Sequence, residues 1–259
     1  MRLMVFLWAC FSAPALFAES KVVHLAAPAY WCPYACDSKS GEIGYAVEIA
    51  IEALKSQNIE AQYSNVPYQR IQRHLISGRI DGIVGSYKDE VENAIYPKNA
   101  LFSSHFCFYS VHQNTFTWRG EAKDLNNYKL IVTGGYKYAP EIDNVIAAKG
   151  PNLQILNGNN ITARAFKMLE SNRAQLFLED LRVYEYQRIK GTINKAKNKG
   201  CLSQKEEGFL ALTPARKERS KQIAESFDKG LTHLKQTQAL QSILKKYGIT
   251  GNTTPSIEN

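Results

Sequence analysis

Apolar and polar positions along the chain alternate with two patterns, that of an amphipathic helix and that of a buried strand. Between Val47 and Leu54 the apolar residues follow the i, i+3, i+4, i+7 spacing of a helix that buries one face. Short segments at Lys21–Ala27 and Asn58–Tyr63 flank this helix and are predicted strands. Strand, helix and strand in this order predict a parallel sheet that is covered by helices.

The segment Val66–Tyr87 combines a loop, a helix, a tight turn and a strand that stops at a Gly-Ser pair. Gly78 suits the left-handed residue that ends a helix. The segment Phe166–Asp180 repeats this unit at equal spacing, with Asn172 in the position of Gly78 and a Glu-Asp pair at the strand end. The repeat predicts two α/β lobes that each direct a polar strand end towards the edge where open parallel sheets bind ligands.

The second half of the chain continues the alternation of strands and helices. Its predicted elements are strands at 106–111, 130–132, 153–156 and 208–212, a helix at 140–148, and two terminal helices after a capping pair at Thr213 and Pro214. The first and last of these strands are predicted to cross between the lobes. The predicted organisation is a signal peptide at 1–18, lobe 1 at 19–109 plus 211–250, lobe 2 at 110–210 and a flexible tail at 251–259.

The first residues have the layout of a secretory signal peptide. One basic residue precedes an apolar run from Leu3 to Phe11, and small residues follow up to Ala18, where cleavage is predicted. Ala15 is the alternative cleavage site. Cys10 lies in a weak resemblance to a lipoprotein cleavage box, but the apolar run before it is short for a lipid anchor. No later run has the roughly 18 apolar residues that a membrane span needs, so we expect an exported periplasmic protein.

Removal of the signal peptide leaves four cysteines, Cys32, Cys36, Cys107 and Cys201, an even number in an oxidising compartment. Two disulfides are therefore predicted. Cys32 and Cys36 lie in one short loop and can pair locally, which would join Cys107 to Cys201, although the sequence leaves the connectivity open. The competing interpretation, a zinc site, is disfavoured because no histidine lies at ligand spacing from Cys32 or Cys36.

The composition, with 44% hydrophobic and 22% charged residues, is that of a globular protein. The net charge of +8 raises the question of a nucleic-acid partner, but the basic residues are spread along the chain. The densest run, Lys190–Lys199, contains no aromatic residue and predicts a solvated loop. The sequence also contains no G-x-S-x-G nucleophile motif and no phosphate-binding loop. We therefore expect no nucleic-acid partner.

Several motifs, taken in their order, resemble the periplasmic solute-binding proteins of family 3, which serve the uptake of polar amino acids. These motifs are an early aromatic loop before GYAVEIAIEAL, the VPYQR…LISGRIDGIVGS unit, IVTGGYKYAP, the FLED strand end and a helix pair that ends in KKYGI. The resemblance covers almost all of the mature chain. It implies the two-lobed type II periplasmic-binding-protein fold, an α/β fold in which each lobe is a mostly parallel sheet flanked by helices, with two crossing strands. We expect a monomer without cofactor or metal that delivers a small polar solute to an inner-membrane ABC permease or a sensor.

The resemblance also implies a set of ligand-binding residues in the cleft between the lobes. They are Tyr30, Trp31, Tyr68, Arg70, Ser86, Tyr87, Gly134, Gly135, Tyr136 and Asp180. The first aromatic residues are expected on the cleft wall, and Ser86 and Tyr87 at the strand end of lobe 1. Backbone N–H groups at 134–136 fall at a helix start, where they suit an anionic ligand group. Asp180 falls where a carboxylate pairs with the amino group of an amino acid, and Arg70 either reaches the cleft or braces the lobe.

One segment departs from the family pattern. Amino-acid binders of this family usually carry an arginine a few residues beyond the Gly-Ser strand end, and it clamps the α-carboxylate of the ligand. Residues 88–93 contain no arginine, which argues against an ordinary α-amino acid unless Lys88 or Arg70 replaces it. The sequence predicts an exported carrier rather than an enzyme. The alternatives are an enzyme on the same fold, similar to cyclohexadienyl dehydratase, and a partner-binding protein with a vestigial cleft.

Overall fold

The computed structural model of the protein describes residues 22–88 and 90–249, without the side chain of Gln69. The predicted signal peptide, Cys10 and the tail from residue 251 therefore lie outside the described residues. The strands are β1 (Val22–Ala27), β2 (Glu60–Asn65), β3 (Gly82–Tyr87), β4 (Phe102–Ser104), β5 (Phe106–Ser110), β6 (Leu130–Thr133), β7 (Leu153–Leu156), β8 (Leu176–Asp180), β9 (Lys197–Cys201) and β10 (Glu206–Leu212). The helices are α1 (Tyr45–Lys55), α2 (Tyr68–Ile76), α3 (Pro140–Ala148), α4 (Ile161–Glu170), α5 (Leu181–Ile189), α6 (Lys217–Gln236) and α7 (Ala239–Lys246). Within the described ranges, no helix is long and apolar enough to cross a bilayer.

The strands form two five-stranded sheets of the same design. The first sheet, in lobe 1, has the order β2-β1-β3-β10-β4, and the second, in lobe 2, has the order β7-β6-β8-β5-β9. In each sheet the first three strands are parallel, and each of the last two runs antiparallel to its neighbour. The predicted two-lobed α/β fold is confirmed, and the antiparallel strands of each sheet are those next to the connections between the lobes.

The predicted repeat is confirmed in the backbone geometry. The left-handed residues that end the two helices, Gly78 and Asn172, have φ angles of 70° and 55°. Their N–H groups donate to the carbonyl groups of Leu75 and Leu169, both at 3.0 Å. Both leucines are fully buried, and the strands that follow, β3 and β8, hold the third position in their sheets. The repeat therefore places the ends of β3 and β8 at corresponding points of the two lobes.

The chain crosses between the sheets at two short segments. Strands β4 and β5 belong to different sheets and are separated only by His105, and the chain returns between β9 and β10 at 202–205. The Nε2 atom of His105 lies 2.8 Å from the carbonyl oxygen of Leu202, so the two crossings touch each other. The chain enters the second sheet with β5 and returns to the first sheet with β10. Because each of these strands pairs along its whole length within one sheet, both transitions lie before the predicted lobe limits at 109/110 and 210/211.

Both predicted disulfides are present. Cys32–Cys36 closes the loop after β1, and Cys107–Cys201 joins β5 to β9 within the second sheet. His105 lies close to the second pair, but the two sulfur atoms are bonded to each other and are not free to hold a metal. Because β5 and β9 adjoin the two crossings, the second disulfide fixes the crossings to each other on the side of lobe 2.

Three elements of the structure were not predicted from the sequence: the short strand β4, the helix α5 and the strand β9. Helix α5 follows β8 of lobe 2, yet its Val183 packs in the core of lobe 1. Near its end, the hydroxyl of Tyr186 donates to Glu42 Oε2 at 2.6 Å, and Lys190 Nζ lies 3.0 Å from Glu42 Oε1. Strand β9 begins in the basic run that was predicted to be a loop, and it is an edge strand with Lys197 exposed and Lys199 half-buried. Helix α5 is therefore a third connection between the lobes, besides the two crossings.

Candidate functional site

A cleft of about 480 Å³ lies between the two lobes. Lobe 1 contributes residues 28–31 and 65–68, at the ends of β1 and β2. Lobe 2 contributes the ends of β6 and β8, the loop 157–160 and the first turn of α4. These are the carboxyl ends of parallel strands, where open α/β sheets bind ligands. The size of the cleft is that of a small-molecule site.

The predicted aromatic residues line this cleft from both lobes. Tyr30, Trp31 and Tyr68 come from lobe 1, and Tyr136 comes from lobe 2. The ring centroids of Tyr68 and Tyr136 are 6.3 Å apart at an angle of 59°, so the two lobes meet through these rings. The indole Nε1 of Trp31 is buried and has no hydrogen-bond partner among the described residues. The cleft thus offers several aromatic faces and one buried donor.

The position of Trp31 depends on a glycine in β3. Gly85 has a φ angle of 88°, and a Cβ atom at this residue would lie 2.6 Å from Cζ3 of Trp31. The indole also packs against the rings of Tyr34 and Phe102, at centroid distances of 4.7 and 5.4 Å. Only glycine combines this backbone conformation with so close an approach, so Gly85 lets the indole lie against the strand end.

A carboxylate of the protein itself occupies the polar end of β3. Glu90 Oε2 accepts hydrogen bonds from Ser86 Oγ at 2.9 Å and from the N–H of Tyr87 at 3.0 Å. The hydroxyl of Tyr68 donates to the other oxygen, Glu90 Oε1. Ser86 and Tyr87 line a small apolar cavity beside the cleft, together with Trp31 and Tyr68. The donors of Ser86 and Tyr87 are therefore engaged by Glu90, which the sequence analysis did not single out.

The acidic residue that lines the cleft at the end of β8 is Glu179. Its side chain is 3% exposed, Oε2 accepts from the hydroxyl of Thr162 at 2.6 Å, and Oε1 accepts from the N–H of Asp180 at 2.8 Å. Burial raises the pKa of Glu179 to about 7, and these two hydrogen bonds oppose that shift. Glu179 therefore exchanges a proton near neutral pH at the wall of the cleft.

Asp180 does not line the cleft, contrary to the role that the resemblance implied. It is fully buried and caps α5, because Oδ1 accepts from two N–H groups of the first turn of that helix. Oδ1 also accepts from the hydroxyl of Tyr34 at 3.0 Å, and Oδ2 accepts from Ser104 Oγ at 2.9 Å and the N–H of His105 at 3.0 Å. Burial raises the pKa of Asp180, and the hydrogen bonds lower it. Asp180 thus ties β8 to lobe 1 and to the first crossing.

The backbone at 134–136 lines the cleft but does not form a helix start. The N–H of Gly134 donates to the carbonyl of Leu156 at 2.8 Å, and the N–H of Tyr136 points to the carbonyl of Thr133 at 3.4 Å. Helix α3 begins only at Pro140. Gly135, with a φ angle of 83°, lies across from the ring of Tyr68. Two of the three N–H groups expected to hold an anion therefore have partners within the protein.

The structure places the predicted Arg70 outside the cleft and three asparagines that were not predicted within its lining. Arg70 is exposed on α2 and lies outside the cleft lining. In contrast, the asparagines of the loop before α4 line the wall formed by lobe 2, and the sequence analysis did not single them out: Asn157, Asn159 and Asn160. Their signal in the sequence was the turn composition N-G-N-N between a strand and a helix. Amide side chains supply both donors and acceptors, so this wall suits neutral polar groups of a solute.

Two cations of lobe 2, Arg164 and Lys137, lie beside the cleft but are not part of its lining. Arg164 Nη1 donates to the carbonyl of Asn157 at 2.7 Å and points to that of Asn159 at 3.4 Å. Lys137 is exposed at the rim of the small apolar cavity, and its charge acts on Glu206. Apart from tyrosines, Glu179 is the one ionisable side chain among the described residues that line the cleft.

Comparison with known proteins identifies a family for nearly the whole described chain. The model of the bacterial extracellular solute-binding proteins, family 3, matches residues 23–250. No curated protein matches the sequence itself. The sequence resemblance to this family is thereby confirmed.

Solved structures with the same fold come from proteins of different kinds. An ancestral arginine-binding protein bound to arginine superposes with a TM-score of 0.71 at 16% identity, covering 88% of this chain and 98% of that one. A histidine kinase sensor domain with similarity to periplasmic binding proteins has a TM-score of 0.69 at 15% identity and covers 87% and 95%. An ancestral amino acid-binding protein, described as a precursor of cyclohexadienyl dehydratase, has a TM-score of 0.67 at 15% identity and covers 88% and 95%. At these identities the likeness establishes the fold and no particular ligand.

Proposed function

Because this chain belongs to the bacterial extracellular solute-binding proteins of family 3, we propose that it captures a small polar solute in the cleft between its lobes. The observation that carries the proposal is the cleft itself, whose walls come from both lobes and meet through Tyr68 and Tyr136. Because only short crossings and α5 connect the lobes, a hinge motion can open the cleft and close it over a solute. Aromatic faces would stack on the apolar part of the solute, and the asparagine wall would bind its polar part.

The proposed place of action is the periplasm, where the protein would deliver its solute to an inner-membrane ABC permease or to a sensor. The signal-peptide layout of the first 18 residues supports export. The two disulfides are consistent with an oxidising compartment. An arginine-binding protein and a histidine kinase sensor domain both occur among the structures of similar fold, so the fold is compatible with either partner.

A thermal-shift screen of small polar solutes on the mature protein tests this function. A solute at free concentration L that binds the folded state stabilises it by RT ln(1 + L/Kd), so the melting temperature rises with the logarithm of the solute concentration above Kd. Hits are then titrated by calorimetry against Tyr68→Ala, in the cleft, and Arg70→Ala, on the exposed side of the same helix. We expect Tyr68→Ala to weaken binding at least tenfold and Arg70→Ala to leave it unchanged. A screen in which no solute stabilises the protein would contradict the proposal and favour a vestigial cleft.

A specific observation supports an enzyme as the second candidate. Burial raises the pKa of Glu179 to about 7, near the pH at which a general acid works best. In a dehydratase of the cyclohexadienyl type, such an acid would protonate the leaving hydroxyl group while carbon dioxide departs. Incubation with prephenate and arogenate separates the candidates, with Glu179→Gln as the matched variant. Steady product release that disappears in the variant would favour the enzyme, whereas saturable binding without turnover would favour the carrier.

A further inference from the structure

We infer that the cleft selects a small organic cation, an amine without a carboxylate, and that Glu179 is the group that pairs with it. This inference rests on the proposed solute-binding function and names its substrate class. It differs from the binding mode of amino-acid carriers in this family, because it assigns no carboxylate clamp to the cleft and moves the acidic contact from Asp180 to its neighbour. Three positions in and beside the cleft could bind an anionic group of a solute, and the protein itself occupies or satisfies each of them.

The first such position, at the end of β3, holds a carboxylate of the protein. The Oγ of Ser86 and the N–H of Tyr87 both donate to Glu90, at 2.9 and 3.0 Å, and the hydroxyl of Tyr68 donates to the same carboxylate. A carboxylate of a solute would have to displace Glu90 and leave it without its donors beside the new negative charge. Like charges in a partly buried site repel each other, so this position excludes an anion.

The second position, at 134–136, is largely satisfied by the backbone. Its outer N–H groups point to the carbonyls of Leu156 and Thr133, and no helix starts there to add its dipole. The third position is the N-terminus of α4, which faces the cleft. There the side chain of Thr162, the second residue of the helix, donates to Glu179 at 2.6 Å. The favourable place for a negative charge near this helix start is therefore filled by Glu179 itself.

The described residues that line the cleft include one acidic side chain, that of Glu179, and no basic one. Each oxygen of Glu179 accepts one hydrogen bond within the protein, so each retains capacity for a second donor. An ammonium group supplies up to three donors and a full positive charge. Three tyrosines and a tryptophan surround the same space, and the faces of such rings attract cations. The asparagine wall would bind hydroxyl or amide groups of the same molecule.

Pairs of probes that differ only by a carboxylate test this inference directly. Agmatine and arginine, putrescine and ornithine, and cadaverine and lysine are titrated into the mature protein by calorimetry at pH 8, where Glu179 is ionised. We expect the amine of at least one pair to bind tenfold or more tightly than its amino acid. The variant Glu179→Gln should reduce amine binding at least tenfold, whereas Glu225→Gln, an exposed glutamate on α6, should leave it unchanged.

The outcomes separate this inference from the proposed function. If the amino acid of each pair binds more tightly than its amine, or if the hits of a wider screen are anions or neutral solutes, the inference fails and the carrier function stands. Amine binding that Glu179→Gln leaves unchanged would also overturn it, because the assigned acidic contact would then be absent. If no solute of any class binds, the proposed function fails and the inference fails with it.

Discussion

Replacing Glu179 by glutamine should change the pH dependence of stability in a defined way. Burial raises the pKa of this carboxyl group from 4.5 to about 7, against the hydrogen bonds from Thr162 and from the N–H of Asp180. Glutamine has nearly the same shape and can keep both contacts. Its carbonyl accepts from the N–H of Asp180, and its amide group donates to the hydroxyl of Thr162, which only has to rotate. The substitution therefore removes a titrating group with little change in packing.

The sign of the effect follows from the raised pKa. The folded state holds the Glu179 proton more tightly than the unfolded state, so acidification stabilises the wild-type protein. The contribution is complete below pH 4.5 and is lost as the pH rises through about 7. The difference between these two pKa values corresponds to about 3 kcal/mol in full, of which about 2.5 kcal/mol develops between pH 8 and pH 5. In Glu179→Gln this contribution is absent.

Urea unfolding of the wild type and of Glu179→Gln at several pH values measures this difference. From pH 8 to pH 5, the unfolding free energy of the wild type should rise relative to that of the variant by about 2.5 kcal/mol. Groups far from residue 179 titrate alike in both proteins and cancel in the comparison, whereas burial raises the pKa of the surrounding tyrosines, Tyr109, Tyr136 and Tyr138, so that they stay protonated throughout this range. The charge of Asp180 is one cause of the raised pKa of Glu179 and is therefore part of the measured difference. A difference that stays constant across this range would refute the burial argument, and Glu225→Gln serves as the control.

Three further substitutions test other parts of the structure. Asp180→Asn should lower the unfolding free energy by about 3 kcal/mol, since it weakens the hydrogen bonds that the buried carboxylate accepts. Normal stability together with lost solute binding would instead indicate that Asp180 contacts the ligand. Gly85→Ala should destabilise the protein by about 1–3 kcal/mol and weaken solute binding, since it displaces Trp31, whereas Gly150→Ala, in open space, should do neither. Replacing Cys107 and Cys201 by serine should lower the free energy of unfolding, measured in urea, by about 4 kcal/mol, because their disulfide closes a loop with a sequence separation of 94. A reductant should then destabilise the variant less than the wild type.

The fold could be predicted because its rules are local. The helix ends at Gly78 and Asn172 require a left-handed residue, and the apolar runs after them fix the strands β3 and β8. Helix α5 was missed because its apolar residues serve two lobes, so they do not follow the single stripe of a surface helix. Strand β9 was missed because Lys197–Cys201 is an edge strand, where lysine side chains are compatible with pairing.

The sequence predicted which strand end forms the site, but not which of its residues lines the cleft. Residues 179 and 180 are both acidic, and successive side chains of a strand point to opposite faces, so only one of the two can reach the cleft. The resemblance favoured Asp180, but the turn from β8 into α5 makes that residue an N-cap. The sequence carried this information, because an aspartate directly before a helix is a favoured cap, but the helix itself had not been recognised.

The two lobes also share a carboxylate at corresponding strand ends, although their sequences supply it differently. In lobe 2 the strand itself provides Asp180, which binds the hydroxyl of Tyr34. In lobe 1 the corresponding residue is Ser86, which instead holds the carboxylate of Glu90, and a tyrosine hydroxyl binds that carboxylate as well. The residue types at the two strand ends therefore do not reveal that both ends hold a carboxylate, because Glu90 lies beyond the repeated unit.

This arrangement gives the cleft a charge opposite to that of the chain. The net charge of +8 alone would favour anionic solutes through the long-range field of the protein. Screening by salt limits that field to about 8 Å at physiological ionic strength, so the charges within the cleft dominate the choice of a bound solute. There Glu179 is the acidic residue of the lining, whereas Glu90 and the exposed Lys137 both line the small cavity beside the cleft. The net positive charge of the chain therefore favours anionic solutes, whereas the acidic lining of the cleft favours cations. The lining, which a bound solute touches, determines the class of solute.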